Sequence, residues 1–184
     1  MRIIAGKHRG RILKELMHTE TRPTIDRVRE AIFSKIQFDV KNAVVLDLFS
    51  GTGALGFEAL SRGAKEVFAV DVNKKSYDLI VENNKLLKEN LNIINADFKV
   101  ALQQFILTKK TFDVIFLDPP YESNFASVSL DIIANNNLLN KNGVIVWEHN
   151  IEKLNETVPN SLVCYDQKKY GTVYVSYLTI KENE

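Results

Sequence analysis

The 184-residue chain is 45% hydrophobic and 26% charged, with a formal net charge of +1. These ordinary globular values set aside a disordered, collagen-like or low-complexity chain and leave room for one well-formed core. A single cysteine, Cys164, excludes an internal disulfide and a Cys-x-x-Cys metal site, and no apolar run approaches the ~20 residues of a membrane span.

The near-neutral total hides an asymmetry. Residues 1–35 hold nine Lys/Arg against four acids, a local +5 that leaves −4 for the remainder. A basic arm on a near-neutral body predicts an anionic partner met by one end of the molecule. Charge interrupts the opening Met1-Arg2-Ile3-Ile4-Ala5-Gly6-Lys7 too early for a signal peptide. A soluble protein in a reducing cytoplasm is the expectation.

In chain order, residues 2–14 alternate around Gly6 and Gly10 and predict a short β-hairpin or extended arm with a cationic tip. Thr21-Arg22-Pro23-Thr24 reads as a turn, with Thr24 the N-cap of a helix from about Ile25 to Ile36. That helix is expected to bury Val28, Ala31, Ile32 and Ile36 while Arg27, Arg29 and Lys35 point elsewhere. From Ala43 onward strands and helices alternate, the mark of a parallel sheet with crossover helices. Strands are predicted over 44–48, 66–70, 91–94, 112–117 and 143–148. Between them come a helix through Ser61 and helices over about 74–88, 98–107 and 125–134. Two further β-rich runs, 161–168 and 172–180, read as an antiparallel pair closing the sheet. The expected fold is α/β and Rossmann-like, a mostly parallel seven-stranded sheet with an antiparallel C-terminal strand. It is one domain over 1–184, with the basic arm at 1–20 ahead of a core at 21–184.

Asp47-Leu48-Phe49-Ser50-Gly51-Thr52-Gly53-Ala54-Leu55-Gly56 falls between the first strand and its helix. Gly51 and Gly53 allow tight turns and let a ligand approach the main chain. Taken literally, Gly51–Gly56 with Asp71 twenty residues on matches a dinucleotide fingerprint. Asp47 argues against that ligand, because a carboxylate there repels a pyrophosphate and suits the ammonium end of S-adenosylmethionine. Asp47, Phe49, Gly51 and Gly53 stand in the order acid, aromatic, Gly-x-Gly, and the segment resembles the first motif of S-adenosylmethionine-dependent methyltransferases. That resemblance implies a loop cradling the methionine and ribose parts. It also implies Asp71 on the ribose hydroxyls, Asp97 on the adenine amino group and Phe98 against the adenine. Helix N-capping explains each acid singly, Asp97 best of all. Three acids at three successive strand ends favour a joint role.

Asp118-Pro119-Pro120-Tyr121 follows the apolar run 112–117 and holds an acid at a strand's carboxyl end, where open α/β sheets bind ligands. This turn resembles the signature of methyltransferases that modify exocyclic amines of nucleic-acid bases. Such an amine is a poor nucleophile, since its lone pair is delocalised into the ring. Acceptors that hold its hydrogens free the nitrogen to pyramidalise. The Asp118 side chain and the Pro119 carbonyl suit that task, and Tyr121 suits stacking on an extruded base, worth ~1–3 kcal/mol. A capping Asp ahead of a Pro-Pro turn is the bland alternative.

Ile4-Ala5-Gly6 with Arg9-Gly10-Arg11, Arg22-Pro23-Thr24 with Asp26-Arg27-Val28-Arg29-Glu30-Ala31, the 46–56 loop, Glu58–Ala64 and the Asp118–Tyr121 turn together resemble the bacterial 16S rRNA guanine-N2 methyltransferase family. The likeness runs from about Arg2 to Leu178, and the Arg22–Ala31 block is its most specific part. It implies transfer of one methyl group from S-adenosylmethionine to N2 of a guanosine in 16S rRNA, with S-adenosylhomocysteine as product and no metal. It implies a partly assembled small subunit as partner, and a monomer is the default. It places the Arg22–Ala31 segment beside the cofactor's carboxylate and the RNA. Thr24 is the candidate for the first role, and Arg9, Arg11, Arg22 and Arg27 for the second, with helix-surface ion pairing the alternative for Arg27. Asp71 stands where many members carry Glu, a change that keeps the ribose acceptor. The rival readings are a DNA adenine-N6 methyltransferase, which shares the Asp-Pro-Pro-Tyr turn, a nicotinamide oxidoreductase and a non-catalytic RNA-binding assembly factor.

Overall fold

The computed structural model describes residues 1–15, 23–121, 123–150, 154 and 158–181, with side chains from Asp26 onward in the first helix. Its strands are β1 (Val44–Asp47), β2 (Glu66–Asp71), β3 (Asn92–Asn95), β4 (Phe112–Leu117), β5 (Leu139–His149), β6 (Leu162–Tyr170) and β7 (Val173–Ile180). The helices are α1 (Pro23–Lys35), α2 (Gln37–Val40), α3 (Ala54–Ser61), α4 (Lys74–Leu87), α5 (Phe98–Leu107) and α6 (Phe125–Asn135). The strands form one sheet in the order β3-β2-β1-β4-β5-β7-β6. The first five are parallel, and β7 runs antiparallel between β5 and β6. The predicted closing pair is therefore present, with its last strand, β7, joined to β5 and β6 at the sheet edge.

Side chains alternate across the sheet, so each central strand feeds two cores. Val45, Val114, Phe116 and Val146 pack under α1, α3 and α4. Leu46, Ile115, Leu117, Ile145 and Trp147 pack under α5 and α6. Strands buried on both faces read as continuous apolar runs, which is why 112–117 was legible as a strand.

Two expectations for α1 change. The helix begins at Pro23, so Thr24 lies inside its first turn and not ahead of it. Proline's fixed φ and missing N–H suit that opening position. Arg29, expected to point outward, is 3% exposed, and Ala31 is only half-buried. α2 was not anticipated, being too short to show a period.

The N-terminal arm is a narrow antiparallel pairing around Arg2 and Ile12, with Ile3 and Leu13 buried in the core. Its backbone is held along α3 by the Glu58 carboxylate, which accepts the N–H groups of Ile4 (2.8 Å) and Ala5 (3.0 Å) and the Arg62 Nε–H (2.7 Å). Farther along, Lys7 N–H donates to the Ser61 carbonyl at 2.8 Å and His8 N–H to Ser61 Oγ at 3.0 Å. Gly6 has φ +82° there, and a Cβ on it would lie 1.9 Å from the Ser61 carbonyl oxygen.

Candidate active site

The carboxyl ends of β1, β2 and β4 meet at the 48–53 loop. Gly51 N–H donates to Asp71 Oδ2 at 2.7 Å, and Ser50 Oγ–H donates to the Val70 carbonyl at 2.8 Å, so the loop is tied to β2. Gly51 (φ +53°) and Gly53 (φ +78°) supply the left-handed turns, and Gly53 opens α3. Asp71 is thus an anchor of the loop, its Oδ1 also accepting from Asn73 N–H at 2.7 Å. Asp97 caps α5, with Oδ1 accepting Lys99 N–H at 2.8 Å.

Two cavities flank the loop. The first, about 460 Å³, is lined by Phe49, Gly51, Asp71, Asp97, Phe98, Asp118, Pro119 and Tyr121 among others. Eight predicted site residues, spread over the 72 positions from Phe49 to Tyr121, thereby share one wall. Phe49, Phe98 and Phe125 form an aromatic cluster on it, with centroids 5.0–6.3 Å apart. Such rings fit a flat heteroaromatic group, each ring pair adding about 0.5–1.5 kcal/mol beyond burial. The second cavity, about 290 Å³, is lined by Arg29, Asp47, Gly51, Asp118, Glu148 and Tyr170 among others. Phe49, Gly51 and Asp118 border both, so Asp118 stands where the two join.

The second cavity is rich in charge. Asp47 is 2% exposed, and burial pushes its carboxyl up to about 7 although Gly56 N–H donates to Oδ2 at 3.0 Å; nearby Asp71 adds to the rise. Asp118 opens into the cavities yet is crowded by protein on its other sides. Burial first, then the charges of Glu148 and Asp47, raise its carboxyl well above the usual range. Burial raises Glu148 as well. Tyr121 O–H donates to Glu148 Oε1 at 2.9 Å, and burial beside that acid keeps the phenol protonated while 43% of the residue stays exposed. Arg29 Nη2 donates to the Arg2 carbonyl (2.6 Å) and Asp26 Oδ1 (2.9 Å), but its buried Nε–H has no partner among the described residues. A buried arginine on a cavity wall with an orphaned donor fits an anionic ligand group.

The family model described as Conserved hypothetical protein 95 matches residues 1–179. The chain belongs to this family. Ribosomal RNA small subunit methyltransferase D of Haemophilus influenzae is 38% identical over 83% of this chain and 80% of its own length. The Escherichia coli protein of the same name is 31% identical over 94% and 86%. A solved Escherichia coli structure named "Putative methyltransferase" superposes with a TM-score of 0.84 at 29% identity, covering 100% of this chain and 99% of that one. A more distant chain solved in complex with SAH shares the fold alone, at 17% identity and a TM-score of 0.64 over 80% of this chain and 49% of that one.

Of the residues singled out from sequence, the family fold brings together Asp47, Phe49, Gly51, Asp71, Asp97, Phe98, Asp118, Pro119 and Tyr121 around the two cavities. Gly53 acts from behind, shaping the loop. Arg9 and Arg11 are exposed on the arm, whose backbone is held at Ser61. Ser61 ends α3, about 12 Å of helix from the loop that starts it. Arg27 is exposed beside Val28, which lines the second cavity. Arg22 and the Thr24 side chain lie outside the described residues. Arg29 and Phe125 were missed as site residues, while Glu148, at the end of an apolar run, reads from sequence as either a site residue or part of a solvated turn. Arg29 carried a signal, an arginine on the buried side of its helix beside Val28 and Ile32. Among the described residues no acidic, His or Cys cluster could hold a metal, and no helix is long and apolar enough to cross a membrane.

Proposed function

We propose that this chain transfers a methyl group from S-adenosylmethionine to the exocyclic N2 amine of a guanosine in 16S rRNA, working in the cytoplasm as a monomer on a partly assembled small subunit. The observation that carries the reading is the position of Asp118, at the junction of an aromatic cavity and an acidic cavity that is also lined by Arg29.

The residues present fit that donor. Phe49, Phe98 and Phe125 would take the adenine, with the free oxygen of Asp97 for its amino group, and Asp71 and Gly51 would take the ribose. Arg29 would pair with the amino-acid carboxylate, with the Thr24 segment beside it, and Asp47 with the ammonium. When bound, the cofactor supplies an activated methyl group on a positively charged sulfur.

Everything else falls to the chain. Asp118 and the Pro119 carbonyl accept the two N2 hydrogens and turn the nitrogen lone pair toward the methyl carbon. As the N–C bond forms, the C–S electron pair stays on sulfur and the amine loses one proton toward the Asp118 carboxylate or water. The carboxylates of Asp47 and Asp118 would offset the positive charge that develops on nitrogen. The exposed face of Tyr121 supports the base, and Arg9, Arg11, Arg22 and Arg27 hold phosphates.

The test offers labelled S-adenosylmethionine with undermodified small subunits, naked 16S rRNA and duplex DNA, followed by nucleoside mass spectrometry. N2-methylguanosine is expected from the rRNA substrates, reduced at least about 100-fold by Asp118→Ala. N6-methyladenine in the DNA, or cofactor binding without transfer to any substrate, would overturn the reading.

A further inference from the structure

Leu117 of β4 pairs in parallel register with Trp147 of β5. The next residue of each strand, Asp118 and Glu148, therefore leaves on the same face, across an interstrand gap of about 4.8 Å. Both carboxylates line the Arg29 cavity. Tyr121 fixes the direction of one by donating its O–H to Glu148 Oε1 at 2.9 Å. The transfer described above makes no use of Glu148, since Asp118 and Pro119 already account for both amine hydrogens. Yet its charge hinders ionisation of Asp118. A half-buried acid that burdens the reacting acid calls for a ligand donor of its own.

We propose that Glu148 is the residue that reads the target base, accepting the ring N1–H of guanine while Asp118 holds the adjacent N2 amine. This rests on the N2-guanosine reading. Of the common bases, only guanine carries an exocyclic amine next to a ring N–H. The amines of adenine and cytosine sit next to a ring nitrogen lone pair, which an ionised carboxylate repels. An Asp-Pro-Pro-Tyr turn alone accepts hydrogens from any of these amines. The carboxylate on the neighbouring strand makes the site selective for two adjacent donors, a ring N–H beside an exocyclic amine.

The test changes the N1 and C6 positions of the target base and leaves its N2 amine in place. The methylated guanosine is first mapped in undermodified subunits, then replaced by 2,6-diaminopurine riboside in ligated 16S rRNA and reconstituted. This analogue keeps the N2 amine but presents a lone pair at N1. Wild-type protein is expected to favour guanosine by a hundredfold or more in single-turnover transfer, since a desolvated acceptor facing a lone pair loses its partner and meets repulsion. Glu148→Gln can turn its amide N–H₂ to that lone pair, so its preference should fall at least tenfold below wild type. Tyr121→Phe keeps the ring and releases Glu148, and should lower the preference part-way; it decides the matter if the Gln variant does not fold. A preference unchanged in both variants, or equal losses on both bases, would sink the assignment of Glu148 alone. Failure of wild-type protein to make N2-methylguanosine would sink the reaction reading and this one with it.

Discussion

Asp47 shows how a carboxylate proposed to bind the donor's ammonium strains the fold that carries it. Its carboxyl sits at about 7 in the native protein against an ordinary 3.8, chiefly because burial penalises the charge. The native state therefore holds this proton to a higher pH than the unfolded chain. Stability from the group is full below about pH 4 and is lost as pH rises toward 7, a change of at most about 4 kcal/mol. In the absence of cofactor, Asp47→Asn should melt with wild type at pH 4 and above it at pH 8. Thermal melts at the two pH values check this, and a variant that tracks wild type throughout would show that the buried charge is relieved some other way. The same variant should bind S-adenosylmethionine more weakly, since the ammonium loses its counter-charge. Stability gained and affinity lost at one position is the expected signature of a functional carboxylate.

At the scale of elements, the N-terminal arm and α3 behave as one unit. Backbone groups from Ile4 to His8 find partners on Glu58 and Ser61, and the Lys7 and His8 side chains pair with Glu89, so main-chain hydrogen bonds and ion pairs together place the arm. Gly6 makes this possible, because its left-handed backbone lies against the Ser61 carbonyl with no room for a side chain. Gly6→Ala should cost more than about 1 kcal/mol and lift the tip off the helix. Hydrogen exchange at the Lys7 and His8 amides would speed up, while S-adenosylmethionine binding at the far end of α3 would persist. Unchanged protection of those amides would mean that the arm is held elsewhere.

Across the whole molecule, the exposed Arg9 and Arg11 lie one helix length from the loop that carries the proposed donor site. A surface spread this way suits a large, folded substrate and not a free nucleotide. Arg9→Ala and Arg11→Ala should each raise KM for the rRNA substrate and leave kcat nearly unchanged. Each should also lower the log–log salt dependence of binding by about one, as loss of a phosphate contact does. Titrations between 50 and 200 mM salt would read this. Slopes equal to wild type would remove the arm from the RNA surface.

The alternation of strand and helix, the glycine loop and the acid at the end of β4 were legible because each is a local pattern. Burial on both sheet faces writes an apolar run, a left-handed turn demands glycine, and a Pro-Pro step ends a strand. Gly51, Asp71, Asp97 and Asp118 could be placed at strand ends for that reason. Glu148 could not be placed in the site, since a lone acid after an apolar run reads equally well as a solvated turn. Only the register of β5 on β4 sets it beside Asp118, and that pairing joins residues 30 positions apart. Arg29 escaped for a similar reason. A helix period tells which side of α1 faces inward, but only packing against the sheet and the arm turns a cation into that interior. The insertion of β7 between β5 and β6 is likewise a matter of long-range pairing, to which the residues of the strands themselves are indifferent. Sequence determined the elements and the chemistry at their ends; tertiary structure decided which ends meet, because hydrogen-bond register between distant strands is fixed only when the sheet assembles.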